Sequence, residues 1–484
     1  MKIALVLPAA SKKTLVYGVV FRLEPLGLLY LSSRLRAEGH ETVVVDQSLH
    51  GLSDAEMLAS VQRFGPDLLG ISVTYPNARG TLWLAREVKK RRDIPIVVGG
   101  CYPTPHPEIV LHPVIDLAVL GEGEDTLSEI VRRVRAGEKP RGIAGTAWSD
   151  EGTVALGPPR PRIEDVDALP HPDRRFSDPA RIEVRLSFPV WKRRSRALTM
   201  VTSRGCGHRC GFCISPILWG GKWIGRSPES VVAEIQELKR DHGLRHVIFM
   251  DEEINFDRER SLRLFRLMRD ERLNVTWAAE TTVRVTDLEV AEAMIEAGMR
   301  GLYLGFESGA PEILEKLNKR FRPDDGLRLT RYLQRRGVFT SGNFMLGLPW
   351  ESRETLAQTR RFARRLNLDV CMVTYHRPQP GTAFSKLSIR EGLFDPAGYD
   401  ETDYDPYLPP VRTFHLSREE VGKAVSRFML SVYGSPLYWM RILFRILRQP
   451  NRFGSYAQYY VTVLGGVLRA VLHKARARSA RASS

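Results

Sequence analysis

The sequence predicts an α/β protein built from a doubly wound parallel sheet, a partial (β/α)6 barrel and a helical C-terminal region. Residues 1–145 and 198–386 each alternate short apolar runs with amphipathic helical patterns. This alternation is typical of parallel sheets covered by helices. Residues 146–197 are rich in proline and arginine and predict a linker, whereas residues 387–484 predict a helical and basic region.

The bulk composition is that of a globular protein in a reducing compartment. Of the 484 residues, 43% are hydrophobic, which is the usual proportion for domains with a packed core. The five cysteines are odd in number and clustered, so they predict no disulfide framework. The sequence shows no apolar run of about 18 residues and no signal-peptide pattern at its start. We therefore expect a cytoplasmic protein without a transmembrane helix.

Five apolar runs in residues 1–145 are short enough to be strands buried on both faces. Three amphipathic patterns lie between them and a fourth follows the last, and Ser53 supplies an N-cap for the second. This is the pattern of a Rossmann-like domain. The predicted strands are Ile3–Leu7, Thr42–Asp46, Leu68–Val73, Pro95–Gly99 and Leu117–Leu120, and the predicted helices are Leu28–Glu38, Asp54–Phe64, Arg79–Arg91 and Thr126–Ala136.

The turns after these strands are the expected ligand site of the first domain. Ligands of doubly wound sheets bind beyond the carboxyl ends of the strands, and glycine lets a flat or phosphate-bearing ligand approach the backbone. No GxGxxG motif is present, which disfavours a dinucleotide. The candidate contact residues are Ser72, Tyr75, Gly99, Gly100, Gly121, Glu122 and Gly123.

The linker contains two proline-rich stretches, at 158–161 and 169–172. Proline at this density excludes a regular helix or a central strand. We therefore expect residues 146–197 to wrap between the two domains without a regular helix or a central strand.

Six further strand-like runs alternate with helical patterns in residues 198–386. Six such units form a partial barrel of parallel strands, and the active sites of these barrels lie at the carboxyl ends of the strands. The predicted strands are Leu198–Thr202, His246–Met250, Val275–Ala279, Gly301–Phe306, Phe339–Met345 and Val370–Tyr375.

The first barrel strand runs into a glycine-rich loop that carries three cysteines. Cys206, Cys210 and Cys213 have the spacing CxxxCxxC, and the aromatic Phe212 precedes the third. Three thiolates on one tight loop suit an iron–sulfur cluster, and three ligands for four irons leave one iron open to a substrate or cofactor. A Cys3His zinc site that includes His208 is the alternative, although zinc ligands usually come as two separated pairs.

Polar side chains follow the other barrel strands, so we expect them to lie near the cysteine loop. Three acidic residues end the second strand, and a further glutamate and an arginine follow the third. A Glu-Ser-Gly turn follows the fourth strand, and an asparagine lies within the fifth. These residues are Asp251, Glu252, Glu253, Glu280, Arg284, Glu307, Ser308 and Asn343.

The C-terminal region predicts a basic amphipathic helix. The last 44 residues contain nine lysines or arginines and no acid, and arginines at 441, 445 and 448 alternate with large apolar residues. Such a helix suits peripheral contact with an anionic membrane surface. The alternative is a helical cap whose apolar face packs on the barrel. Nucleic acid is disfavoured as a partner because no recognition motif accompanies the charge.

Four sequence blocks of the barrel resemble the radical S-adenosylmethionine (radical SAM) superfamily in order and spacing. They are the cysteine loop with its leading Thr-Ser-Arg-Gly, Arg-Ser-Pro-Glu at 226–229, Gly-Phe-Glu-Ser-Gly at 305–309 and Gly-Leu-Pro at 347–349. The resemblance implies a 4Fe–4S cluster whose open iron binds S-adenosylmethionine, and an external electron donor such as flavodoxin or ferredoxin.

The same resemblance implies roles for several strand-end residues. Glu252 would contact the amino group of S-adenosylmethionine, and Glu307 would accept hydrogen bonds from its ribose. Glu253, Arg284 and Asn343 are further candidates. The family usually has Asp-Asp after the second strand, and the Asp-Glu of this sequence leaves open which carboxylate acts.

The first domain resembles the N-terminal domain of cobalamin-binding radical SAM enzymes. The resemblance rests on the run at 21–31, Gly-Gly-x-x-Pro-Thr at 99–104 and Gly-Glu-Gly-Glu at 121–124. It implies a cobalamin in the crevice beyond the carboxyl ends of the strands, with its nucleotide tail running past the glycine turns. The DxHxxG motif that supplies a histidine to cobalt is missing, since His50 has the wrong spacing. We expect no histidine ligand, and Tyr75 could cover the lower face of the corrin.

The resemblance implies two classes of reaction. In the first, an enzyme of lipid biosynthesis transfers a methyl group to an unactivated carbon of a hydrophobic substrate. The run at 21–27, Phe-Arg-Leu-Glu-Pro-Leu-Gly, resembles hopanoid C-3 methylases, so an isoprenoid substrate is expected. The alternative is oxidation or cyclisation of a tetrapyrrole, as in magnesium-protoporphyrin ester cyclases. A non-enzymatic cobalamin sensor is disfavoured, because the sequence shows no helix-turn-helix pattern.

Overall fold

Two large sheets covered by helices form the framework of the protein. The computed structural model describes residues 1–10, 23–179, 181–182, 196–400, 408–448, 456–457, 460–461 and 465. The strands are β1 (Lys2–Leu7), β2 (Glu41–Asp46), β3 (Leu68–Ser72), β4 (Ile96–Gly99), β5 (Leu117–Val119), β6 (Thr146–Asp150), β7 (Thr153–Leu156), β8 (Ala197–Met200), β9 (Ser203–Arg204), β10 (Ile224–Gly225), β11 (His246–Phe249), β12 (Thr276–Thr281), β13 (Met299–Glu307), β14 (Phe339–Leu346) and β15 (Val370–Tyr375).

The helices lie between the strands and beyond the last of them. They are α1 (Leu26–Ala37), α2 (Gln47–His50), α3 (Asp54–Phe64), α4 (Ala78–Lys89), α5 (Glu124–Arg135), α6 (Ser215–Leu218), α7 (Pro228–His242), α8 (Arg258–Asp270), α9 (Leu288–Glu296), α10 (Pro311–Lys316), α11 (Pro323–Arg335), α12 (Arg353–Leu366), α13 (Ala383–Arg390), α14 (Arg418–Tyr433) and α15 (Pro436–Arg448). None of these helices is both long and apolar enough to cross a membrane.

The first sheet has the strand order β2-β1-β3-β4-β5-β6-β7, and its first five strands are parallel. This confirms the doubly wound domain. Helix α3 has the predicted bounds, and the side chains of Ser53 and Glu56 form a reciprocal capping box at its start.

The hairpin of β6 and β7 shows that one prediction for the linker is wrong. No central strand was expected here, but β6 pairs antiparallel with β5 on one edge and with β7 on the other, and so extends the first sheet. The prolines that argue against strand structure begin only at Pro158. The backbone before them is therefore free to pair.

The second sheet consists of six parallel strands in the order β15-β14-β13-β12-β11-β8. It forms the predicted partial barrel, and its last strand has the predicted bounds. Trp277 of β12 is fully buried, with its ring centroid 5.4 Å from that of Phe265 on α8 and 5.3 Å from that of Phe249 on β11. These rings pack α8 against the sheet, since buried aromatic side chains contribute a large apolar area.

The C-terminal helices pack on the barrel where β14 and β15 begin. Asp369, fully buried before β15, is ion-paired to Arg441 at 2.6 Å and also to Arg445. The guanidinium of Arg445 also donates to the carbonyl of Val338 at 2.8 Å. The helix therefore packs on the barrel, as the alternative interpretation expected, and the buried carboxylate, which requires a positive partner, draws Arg441 and Arg445 inward.

A buried ion cluster joins the two domains. Arg174 of the connector donates to the carboxylates of Glu24 at 2.9 Å and Glu234 on α7 at 3.0 Å. Glu24 in turn accepts from the backbone N–H of Thr199 on β8 at 2.7 Å, and Glu234 pairs with Arg226. All four charged side chains are buried, so each depends on its partners for the solvation that water no longer supplies.

Arg174→Met tests how much this buried ion cluster stabilises the folded protein. The substitution leaves Glu24 and Glu234 buried without one of their cations, and we expect the free energy of unfolding to fall by about 3 kcal/mol, measured by urea denaturation. Arg353→Met is the matched control, because it breaks an exposed ion pair with Glu420 that solvent screens. Equal losses in the two variants would contradict the assignment.

Candidate functional site

The cysteine loop begins at the short β9, whose pairing with β10 closes its base. Cys206, Cys210 and Cys213 are all partly exposed and form no disulfide. The N–H of Cys213 donates to the carbonyl of Cys210 at 3.1 Å, and the N–H of Ser215 donates to Cys213 Sγ at 3.4 Å. The loop thus presents three thiols from one tight backbone turn.

The thiols and their spacing fit a cluster better than a single zinc ion. Burial raises the pKa of Cys206 to about 12 and raises the pKa of Cys210 and Cys213 as well, so thiolates here need the positive charge of bound iron. Zinc ligands usually come as two separated pairs, whereas the three thiols of one loop can each bind a separate iron of a cluster.

Two of the three acidic residues after β11 are bound within the protein. Asp251 accepts from the N–H of Thr202 at 3.0 Å and from its hydroxyl at 2.8 Å. Glu253 is fully buried and accepts from the N–H of Thr282 at 3.2 Å. Its other oxygen lies 3.5 Å from His208 Nε2. Both carboxylates therefore hold neighbouring turns in place.

Glu252 is the remaining carboxylate, and it faces open space. Its side chain is exposed and lines the cavity between the domains, and it accepts from the N–H of Gly205 at 3.2 Å. Neighbouring groups displace water from the carboxylate, which raises the pKa of Glu252, and the charge of Asp251 raises it further. The geometry thus favours Glu252 as the carboxylate that contacts a ligand.

Glu307 lies at the end of β13 beside a cation that the sequence did not indicate. Lys319 Nζ is 3.0 Å from Glu307 Oε1 and 5.8 Å from the ring centroid of Phe212. Burial lowers the pKa of Lys319, but the charges of Glu307 and Cys210 outweigh it, so the pKa is raised. Lys319 follows α10 without any motif, and only the fold brings it to the cysteine loop.

The backbone at this pair is unusual. Glu307 has φ of +62°, a left-handed conformation that costs a non-glycine residue energy and often occurs at functional sites. A Cβ on Gly305 would lie 2.9 Å from Glu307 Oε1 and 3.1 Å from Lys319 Nζ. Glycine at 305 therefore leaves room for the ion pair.

The other predicted barrel residues lie in three different environments. Ser308 is buried, with its hydroxyl 3.0 Å from that of Thr359 on α12, so its hydroxyl is used within the fold. Arg284 is exposed, and its charge acts on Cys210. Asn343 carries a buried Oδ1 that has no hydrogen-bond partner in the described part of the chain, as expected for a ligand contact.

A cavity of about 500 Å³ separates the first domain from the barrel. Apolar and glycine residues predominate in its wall, and a cobalamin ring with polar edges suits such a surface. At Gly100, with φ of +102°, a Cβ would lie 2.8 Å from the carbonyl of Val73, so this turn requires glycine. The wall includes Ser72, Gly99, Gly100, Gly121, Glu122 and Gly123 from the first domain, and Ser203, Arg204, Met250 and Glu252 from the barrel.

Glu122 lies in the cavity wall with its carboxylate already engaged within the fold, and Tyr75 lies next to the wall. Glu122 accepts from Arg204 at 3.0 Å and from the N–H of Ile163 at 2.9 Å, so its carboxylate ties the domains together. Tyr75 is not part of the cavity wall, although Thr74 beside it is. Its ring packs edge-on against Tyr102, with centroids 5.1 Å apart.

Histidine is absent from the described residues that line the cavity. His50, the candidate that the sequence disfavoured, has Nδ1 2.9 Å from the carbonyl of Asp46. It belongs to the short helix α2.

Comparison with known proteins agrees with this fold. Residues 12–131 match the B12 binding domain, and residues 200–363 match the radical SAM superfamily. An uncharacterized methyltransferase of Pyrococcus horikoshii is 30% identical over 453 residues, 92% of this chain and 95% of the relative. The anaerobic magnesium-protoporphyrin IX monomethyl ester cyclase of Rubrivivax gelatinosus is 30% identical over 77% of this chain and 67% of the cyclase.

A solved structure shares the fold. The radical S-adenosylmethionine methyltransferase TsrM from Kitasatospora setae, solved with cobalamin and a [4Fe-4S] cluster, superposes with a TM-score of 0.67. The identity is 21%, over 81% of this chain and 78% of TsrM.

The cysteine loop lies at the carboxyl end of a parallel barrel, and the barrel is joined to a cobalamin-binding sheet. This combination defines a class of radical enzyme. The chain belongs to the family of cobalamin-dependent radical SAM enzymes. Its cofactors are a 4Fe–4S cluster, S-adenosylmethionine and cobalamin.

Replacing a loop cysteine tests the cluster site. Cys206→Ala, Cys210→Ala and Cys213→Ala should each lower bound iron and abolish formation of 5′-deoxyadenosine, because one missing thiolate exposes an iron of the cluster. Cys371→Ala is the matched control, since Cys371 is buried in β15. Full iron content and turnover in a loop variant would contradict the assignment.

Glu252→Gln tests which carboxylate contacts S-adenosylmethionine. The amide keeps an oxygen for the N–H of Gly205 but removes the negative charge, so we expect binding of S-adenosylmethionine to weaken at least about tenfold. Equilibrium dialysis of the reconstituted protein measures this. Asp251→Asn should instead lower thermal stability, because Asp251 orders Thr202. Unchanged affinity in Glu252→Gln would exclude the contact.

Proposed function

We propose that this enzyme transfers a methyl group to an unactivated carbon of a hydrophobic substrate, with an isoprenoid lipid such as a hopanoid as the first candidate. The observation that carries the proposal is the shared cavity, in which glycine turns of the first domain face Arg204 and Glu252 beside the cysteine loop. When bound, the cluster and S-adenosylmethionine supply a hydrogen-abstracting radical, and cobalamin supplies the methyl group.

The residues of the chain bind and orient these groups. Glu252 accepts from the ammonium of S-adenosylmethionine, and Asn343 offers its free carbonyl oxygen inside the barrel. Phe212 and Phe384, with ring centroids 6.4 Å apart, cover the loop and exclude water from the radical. A small electron-transfer protein such as flavodoxin or ferredoxin supplies the electron.

The wall of the cavity supports a hydrophobic substrate. Met250 is 44% exposed although it directly follows a core strand, and its side chain lines the cavity. Methionine suits irregular apolar ligands because its side chain is flexible and polarizable.

Oxidative cyclisation of a tetrapyrrole is the second candidate. The likeness to the Rubrivivax gelatinosus cyclase favours it. The two candidates differ in whether the substrate gains a methyl group.

Deuterated S-adenosylmethionine distinguishes the two. The reconstituted enzyme, supplied with cobalamin, a reductant and an isoprenoid lipid extract, should yield 5′-deoxyadenosine and a lipid that carries the labelled methyl group, detected by mass spectrometry. Protein with Cys210→Ala is the control. Formation of 5′-deoxyadenosine with no labelled lipid, together with conversion of an added magnesium-protoporphyrin ester, would replace the methyl-transfer proposal by the cyclase.

A further inference from the structure

Helix α15 carries an apolar stripe on its outer face. Leu437, Met440, Phe444 and Leu447 lie three or four residues apart, which places them on one side of the helix. Each is more than half exposed, and Leu437 is 68% exposed. Soluble surfaces rarely leave so many large apolar side chains together in water.

The opposite face of α15 holds the helix in this orientation. Tyr438 and Ile442 are buried against the barrel, and the hydroxyl of Tyr438 donates to the carbonyl of Asp369 at 2.7 Å. Arg441 and Arg445 pair with the carboxylate of Asp369. Arg441 and Arg445 are thus directed inward and the residues of the stripe outward, and these two arginines against one aspartate leave a net positive charge beneath the stripe.

The last part of the sequence is strongly cationic. Glu420 is the last acidic residue of the sequence, and residues 421–484 contain eleven lysines or arginines. They account for most of the net charge of +16. A second copy of this chain is disfavoured as the partner, because two such regions repel one another. An anionic surface is complementary to them.

We propose that the stripe of α15 docks this enzyme on the surface of an anionic lipid bilayer. Its 13 residues span about 20 Å, too short for a bilayer core of about 30 Å. The helix therefore lies in the interface with its leucines, methionine and phenylalanine among the acyl chains. The cationic segment, residues 421–484, adds electrostatic attraction to the anionic headgroups. Docking through this stripe requires neither the proposed substrate nor the proposed reaction.

Vesicle sedimentation tests the docking. The intact protein should sediment with vesicles that contain phosphatidylglycerol and remain in solution with pure phosphatidylcholine. The double variant Leu437→Ser and Phe444→Ser should lose at least about tenfold in partitioning, because two large apolar side chains no longer enter the bilayer. The double variant Leu156→Ser and Ile389→Ser is the matched control, since both residues are exposed elsewhere.

Three results would overturn the proposal. One is wild-type protein that does not bind phosphatidylglycerol vesicles. Another is binding that Leu437→Ser and Phe444→Ser leave unchanged, which would assign the attraction to the cationic segment alone. The third is a wild-type dimer in analytical ultracentrifugation that the same variant converts to a monomer, which would show that a second copy covers the stripe.

Discussion

The functional site depends on the buried ion cluster between the first domain and the barrel. Two carboxylates, Glu24 and Glu234, share two guanidiniums, Arg174 and Arg226, and the charges balance. Glu24 also holds the backbone of β8 through Thr199. Because each buried charge is costly without its partner, the domains meet in one orientation. That orientation places the glycine turns opposite the first barrel strand and so creates the cavity.

A second electrostatic constraint operates inside the barrel. Desolvation by neighbouring groups raises the pKa of Glu280, and the charges of Glu307 and Glu253 raise it further. Lys319 is the buried cation beside them and is paired to Glu307. Glu253, Glu280 and Glu307 outnumber the two cations Lys319 and Arg284. This excess of negative charge favours a cationic ligand. S-adenosylmethionine, with a sulfonium and an ammonium group, meets that requirement.

Much of this architecture could be predicted because its signals are local. The six barrel strands are predicted by short apolar runs, and helix α3 is predicted by its amphipathic pattern and N-cap. The spacing of Cys206, Cys210 and Cys213 indicates a cluster without any tertiary information. The hairpin at 146–156 was missed because the proline pattern beside it was extended too far along the chain.

The sequence by itself determined the two sheets, the cluster loop and the candidate carboxylates, since strand period, turn residues and ligand spacing act over a few residues. Only the tertiary structure decided that Asp251 is bound to Thr202 while Glu252 faces the cavity. It also brought Lys319 to Glu307 and turned Arg445 toward Asp369. The reason is physical: these roles depend on hydrogen-bond and ionic partners that are distant in the chain, and the fold alone brings them within reach.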